Sequence, residues 1–257
     1  MRVGLIGLGA IGRGILELLT PADDIDVVGA LVADAARARP AGTPRTCQSA
    51  AELIALRPEV VVEAAGHAAL RQHGPAVLRA GVDLILVSVG ALAEPETEQA
   101  MRDAACAGGS RTIVASGAIG ALDALAAAAV GGLSRVTHTT RKPARALLPS
   151  DEARHLDAPR ELFRGSAREG ALRFPESINV AAAVSLAGVG LDRTEVCVIA
   201  DPSVDRNRHE VVAQGAFGEL RFEIHNVPSE ANPRTGRLVA MSVVHALRQR
   251  QARLVVG

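Results

Sequence analysis

The stretch that most limits what this chain can become is Arg2-Val3-Gly4-Leu5-Ile6-Gly7-Leu8-Gly9-Ala10-Ile11-Gly12 near its start. An apolar run of strand character meets three glycines at G-x-G-x-x-G spacing, and Ile11, Ile15, Leu18 and Leu19 then recur at helical intervals. A strand, tight turn and helix in that order form a cradle for a dinucleotide. Gly7 permits the turn, Gly9 lets backbone approach a pyrophosphate, and Gly12 allows close packing of the helix. The unpaired N–H groups of the helix start, those of Ala10 and Ile11 among them, favour phosphate oxygens.

The strand and helix rhythm continues through the first half. Strand patterns at 25–32, 60–67, 83–89 and 111–115 alternate with helical stretches, the order of a parallel doubly wound sheet. Val60-Val61-Val62-Glu63-Ala64-Ala65-Gly66-His67 reads as a buried-type strand with its carboxyl end at Ala65 to His67, where ligands sit in such sheets, so Gly66 joins the cofactor residues and His67 could line the site. Pro75 suits the first turn of a helix closed by Gly81, and Pro95 opens another that ends at Gly108-Gly109. The expected fold is therefore α/β, with an N-terminal Rossmann-type domain over 1–120. Beyond Gly131-Gly132 period-two strands dominate, which predicts an α+β domain on a mostly antiparallel or mixed sheet over 121–235. A C-terminal helix over 236–257 would then pack back on the first domain.

Composition narrows the partners. Twenty-eight basic residues balance 28 acidic ones, and aromatics make up 2% of the chain, so neither a basic footprint nor stacking platforms for nucleic acid are present. No run approaches the ~20 apolar residues of a membrane helix, and no leader pattern opens the sequence, so a cytoplasmic protein is expected. Cys47, Cys106 and Cys197 are odd in number and far apart, which fits neither disulfides nor a metal site. Lys142 is the only lysine.

A redox dinucleotide needs a nearby group able to exchange a proton, and histidine suits neutral pH. In 219–225 the apolar face is Leu220, Phe222 and Ile224, so His225 falls on the polar face. His209 instead shares a face with Val211 and Ala213, as a catalytic residue at a site's rim or a satisfied core histidine would. His138 shares a face with Thr140 and Lys142 and is the second candidate. The segment 143–174 reads as loop and short helix, and 175–187 as a helix with Asn179 in its first turn.

Taken together, several of these stretches resemble the L-aspartate dehydrogenases that supply iminoaspartate for NAD synthesis. The resemblance rests on Gly7 to Gly12, Glu63-Ala64-Ala65-Gly66-His67, Ser88-Val89-Gly90-Ala91-Leu92, Gly117-Ala118-Ile119-Gly120-Ala121 and Arg141-Lys142-Pro143. It continues through Asn179-Val180-Ala181-Ala182, Arg208-His209-Glu210 with Gly215-Ala216-Phe217-Gly218, and Ala231-Asn232-Pro233. It implies His209 as the catalytic residue, Ala118 and Asn179 as contacts of the nicotinamide cofactor, and oxidative deamination of aspartate with NAD or NADP. Two substrate carboxylates call for cations, for which Lys142, Arg141 and Arg168 are the candidates. Asp34 stands slightly late to accept from a ribose hydroxyl, while Arg37 and Arg39 would suit a 2′-phosphate, so cofactor preference stays open. A homodimer is expected. The competing readings are a two-domain reductase of the dihydrodipicolinate reductase or homoserine dehydrogenase type, and a dinucleotide sensor without turnover.

Overall fold

The computed structural model describes residues 1–34, 42–174, 178–229 and 232–256, without the side chains of residues 233 and 234. The chain divides into two units, Met1–Gly117 with Val239–Val256, and Ala118–Leu238.

In the first unit β1 (Arg2–Ile6), α1 (Ala10–Leu18), β2 (Asp26–Leu31), β3 (Thr46–Cys47), α2 (Ala50–Ala55) and β4 (Val60–Glu63) are followed by α3 (His67–Arg79), β5 (Asp83–Leu86), α4 (Pro95–Gly108) and β6 (Thr112–Val114). The strands form one sheet in the order β3-β2-β1-β4-β5-β6, every pair parallel. Such a sheet is covered on both faces, which is why Leu5, Ile6, Val60, Val61, Val62, Leu84, Ile85 and Leu86 are all buried. Strand order reverses between β1 and β4, so the turns leaving their carboxyl ends flank a crevice of the kind that receives nucleotides.

Local sequence explains most element ends. Pro95 stands in the first turn of α4, and Gly109, at φ +61°, stops it. Helix α3 departs from the expectation that Pro75 would open it: it begins at His67 and carries Pro75 inside. Gly66 precedes it at φ +109° with no side chain to cap it, so nothing in the residue types marks the start. An interior proline removes one backbone bond, which this long, packed helix tolerates. The strand expected over 83–89 ends at Leu86, and Val89–Ala93 coils into a short 3-10 turn because Ser88 is drawn to the Glu63 carboxylate.

The second unit holds α5 (Leu122–Val130), β7 (Leu133–Pro143), α6 (Ser150–Arg154), β8 (Arg160–Ser166), α7 (Ala167–Arg173) and α8 (Asn179–Ala187). Then come β9 (Glu195–Asp201), β10 (Arg208–Gly215), β11 (Gly218–His225), β12 (Pro228–Ser229) and β13 (Asn232–Gly236). Its main sheet runs β11-β10-β7-β9-β8 and is mixed: β7 and β9 are parallel and the other pairs antiparallel. Ile119, Leu125, Val180 and Val184, on and before α5 and α8, pack on Val136, Val211 and Ala213 of one sheet face. Strand β8 corrects the reading of that region as loop and short helix. A register shift between Glu161 and Phe163 breaks the period-two pattern by which a strand is recognised. The expected helix start at 175 lies outside the described residues.

Helix α9 (Leu238–Gln249) belongs from Val239 onward to the first unit. Its Ser242 hydroxyl accepts from the Gly117 N–H at 3.0 Å, and Arg250, just beyond its end, pairs with Asp83 at 2.8 Å. Among the described residues no helix is long and apolar enough to cross a membrane.

Candidate active site

The glycine turn has the shape a pyrophosphate requires. Gly7 takes φ +100°, and a β-carbon there would lie 2.8 Å from that of Ala65; one on Gly12 would lie 2.3 Å from the Gly7 carbonyl oxygen. Around Gly9 the same construction meets nothing within 4 Å, so the backbone surface there is open. Gly9 is also the N-cap of α1, which has no side-chain cap and no acidic residue in its first turn. The N–H groups of Ala10, Ile11 and Gly12 therefore present an uncompensated positive end. These residues fit a dinucleotide phosphate. Asp34 lies three residues past β2, while Arg37 and Arg39 fall outside the described residues.

The neighbouring turn is built on a buried carboxylate. Glu63 is fully buried. Its Oε1 accepts from the N–H groups of Ala65 at 2.7 Å and Gly66 at 2.9 Å and from the Ser88 hydroxyl at 2.9 Å, while Oε2 accepts from the Ser88 N–H at 3.1 Å. A buried anion is tolerated only when so satisfied, and here the satisfaction itself shapes the Ala65-Gly66 turn and ties it to the end of β5. His67 opens α3, half-buried.

In the second unit, antiparallel register puts Thr140 and Ile224 opposite His209, and His138 and Phe222 opposite Val211, all on one face. The outcome is a pair of buried imidazoles, with His138 Nε2 3.3 Å from His209 Nδ1. Burial, and secondarily the Lys142 charge, pushes His138 down to about 4. Burial, then His138 and Lys142, holds His209 well below the usual imidazole range. Both rings are neutral at physiological pH, so His209 can take up a proton or give one from its neutral N–H.

Lys142 lies on the same face of β7 as His138 and Thr140, half-buried. Arg141 does not: alternation turns it to the opposite face, where it meets Asp201 at 3.3 Å. Arg168 forms a two-pronged pair with Asp192 at 2.6 and 2.9 Å. Both guanidiniums thus have carboxylates of their own, while Lys142 shares a face with the histidines. The Ala118 carbonyl accepts from Asn226 Nδ2 at 2.8 Å, which pins the turn before α5, and Asn179 is the first residue of α8. His225 is exposed and bound to Glu223 at 2.8 Å, on the polar face.

Glu63 and Asn226 are not marked as site residues by the sequence. A glutamate closing the all-valine run 60–62 was the available signal for Glu63. Asn226 gave none. His138 is the second catalytic candidate by sequence, on one face with Lys142, but its meeting with His209, 71 residues away, depends on strand register.

Residues 123–250 match the family model described as aspartate dehydrogenase, C-terminal, and residues 7–115 match that described as homoserine dehydrogenase, NAD binding domain. The cofactor of the first unit is accordingly NAD or NADP. An L-aspartate dehydrogenase of Cupriavidus taiwanensis is 45% identical, with 97% of each chain covered, and one of Pseudomonas aeruginosa is 45% identical over 96% of each. The crystal structure of aspartate dehydrogenase from Thermotoga maritima superposes with a TM-score of 0.83 at 26% identity, covering 100% of this chain and 99% of that one. A hyperthermophilic archaeal homoserine dehydrogenase, solved with NADPH, reaches a TM-score of 0.62 at 11% identity over 98% of each chain, a likeness of fold alone. By sequence, domain models and fold together, this chain belongs to the L-aspartate dehydrogenase family.

Proposed function

We propose that the protein oxidises L-aspartate to iminoaspartate, which hydrolyses to oxaloacetate and ammonia, and runs the reverse reductive amination, with His209 exchanging the proton. Bound NAD or NADP supplies the hydride acceptor or donor. The chain's own residues do the rest. The turn at Gly7, Gly9 and Gly12 with the α1 N–H groups holds the pyrophosphate, and the Glu63-anchored turn at Gly66 borders it. Ala118 and Asn179 are assigned to the nicotinamide end by family resemblance. Lys142 attracts a substrate carboxylate. His209 takes a proton from the substrate nitrogen or from the water that attacks the imine, and returns it in the reverse direction.

The observation that carries this reading is the burial of His209: it is 4% exposed, and that burial keeps the ring neutral where a solvated imidazole would begin to charge. The reading extends to a cytoplasmic setting, supported by three free cysteines. It extends also to a homodimer, supported by half-buried Thr137, Thr139, Ile199 and Val212 on the sheet face opposite the histidines. A steady-state screen of amino acids with both oxidised cofactors tests the substrate. Aspartate should stand apart; turnover of homoserine instead, or of no amino acid, would refute the reading.

A further inference from the structure

We propose that His138 is a positioning residue for His209: the bond between their rings fixes which nitrogen of His209 meets the substrate and which is occupied. This rests on the reading of His209 as the proton-exchanging group.

The two ring planes lie within 14° of each other with centroids 5.4 Å apart. That separation is close to the 3.3 Å between the facing nitrogens plus the two spans from centroid to nitrogen. The rings therefore meet edge to edge in nearly one plane, with a lone pair of one aimed along the N–H of the other. Two such nitrogens hold one proton between them. Either His138 Nε2–H donates to His209 Nδ1, which leaves the His209 proton on Nε2, or His209 Nδ1–H donates, which leaves its Nε2 bare and puts the His138 proton on Nδ1. In both arrangements His209 Nδ1 is occupied by the partner ring, and Nε2 is left to exchange a proton.

The surroundings choose the resting arrangement. His138 Nδ1 is buried with no partner among the described residues. An orphaned N–H is rarer and costlier than an orphaned lone pair, so the shared proton rests on His138 and His209 rests as the Nε2–H tautomer. The second arrangement is reached when the pair trades its outer protons with solvent: one leaves His209 Nε2 and one joins His138 Nδ1 as the shared proton crosses to His209 Nδ1. A proton then taken up at the bare Nε2 gives an imidazolium whose Nδ1–H is already accepted by His138, which holds it in place. Enzymes commonly give that orienting part to a carboxylate. Here the strand neighbours on this face, Thr140, Val196, Val198, Val211 and Ile224, supply none. The Lys142 charge on this face has a sign that opposes the imidazolium, and Arg160, which the register places on the same face, carries the same sign and has Glu152 as its partner at 2.8 Å. The second imidazole fills the orienting role.

The test uses the full chain as wild type, His138→Leu and His138→Gln, with His209→Ala as reference. In the wild type, nitrogen NMR of labelled histidines should show His209 protonated at Nε2 and bare at Nδ1. His138→Leu should give His209 in mixed tautomers and lower kcat by roughly 10- to 100-fold, with the Kd for NADH unchanged. His138→Gln carries an amide toward the position of Nε2 and should recover most of that loss. A mixed-tautomer His209 in the wild type overturns the proposal. So does a Leu variant with wild-type kcat and spectrum, or a folded Gln variant no better than Leu. Should the Leu variant fail to fold, the wild-type spectrum and the Gln variant still decide. Retained turnover in His209→Ala would overturn the underlying reading instead.

Discussion

A β-carbon on Gly12 would lie 2.3 Å from the carbonyl oxygen of Gly7, whereas one on Gly9 would touch nothing within 4 Å. The two glycines therefore fail in different ways. Gly12→Ala drives a methyl group into backbone that cannot retreat, and should destabilise the fold by several kcal/mol, on the order of 3. Gly9 has φ −73°, which alanine adopts freely. Gly9→Ala should change stability by no more than about 0.5 kcal/mol while obstructing the pyrophosphate. Thermal denaturation with NADH titration separates them: an intact fold that no longer binds for Gly9→Ala, a lowered melting temperature for Gly12→Ala.

Glu63 accepts four hydrogen bonds in the dry end of β4. Glutamine can accept at only one of its two terminal atoms, so Glu63→Gln leaves a donor facing a donor. The expected cost is about 1–3 kcal/mol, a fall in melting temperature of several degrees. NADH affinity should weaken too, because the Ala65-Gly66 turn loses its anchor. An unchanged melting temperature and unchanged affinity together would show that the carboxylate does not organise this turn.

The buried histidine pair makes stability depend on pH in a definite direction. Both groups have folded-state values below their ordinary 6.5, His138 at about 4, chiefly through burial. Between those values the unfolded chain binds protons that the folded chain refuses, so stability is full above pH 6.5 and declines as pH falls toward 4. The double variant His138→Gln with His209→Gln should lose much of that slope in melting temperature against pH. An identical slope would place its source elsewhere.

Where residue type determines local geometry, sequence and structure agree: the glycine spacing after β1, Pro95 and Gly109 at the ends of α4, and the shared face of His138, Thr140 and Lys142 on β7. Legibility fails where geometry overrides pattern. The bulge in β8 shifts its alternation out of phase, and α3 starts on a glycine and a histidine that carry no capping signal. For the site, residue pattern leaves His209 between rim and core and offers His138 as the second candidate, but it does not show that the two rings touch. Which residue of β7 lies beside it is set by register between distant strands, which residue types alone do not encode. Likewise Arg141 and Arg168 look available as a string of letters, and only the fold shows Asp201 and Asp192 against them.

Lys142 lies on the histidine face and its charge acts on both rings, so removing that charge should be felt by substrate and imidazoles alike. Lys142→Met should raise the KM for aspartate by about 10- to 100-fold, the worth of a charge-assisted hydrogen bond, with the KM for the dinucleotide unaffected. Because its charge helps hold both histidines down, the acid limb of kcat/KM should move to higher pH. An unchanged KM for aspartate would remove Lys142 from the substrate contacts.

With proton transfer assigned to the buried imidazole of His209 and the dinucleotide to the glycine turn, the two roles should separate in one variant. The deciding experiment is kcat for aspartate oxidation by His209→Ala, taken beside its Kd for NADH. A loss of more than ~100-fold in kcat is expected for removal of a general acid–base group, with NADH bound as in the wild type. Turnover at the wild-type rate with cofactor bound would contradict it.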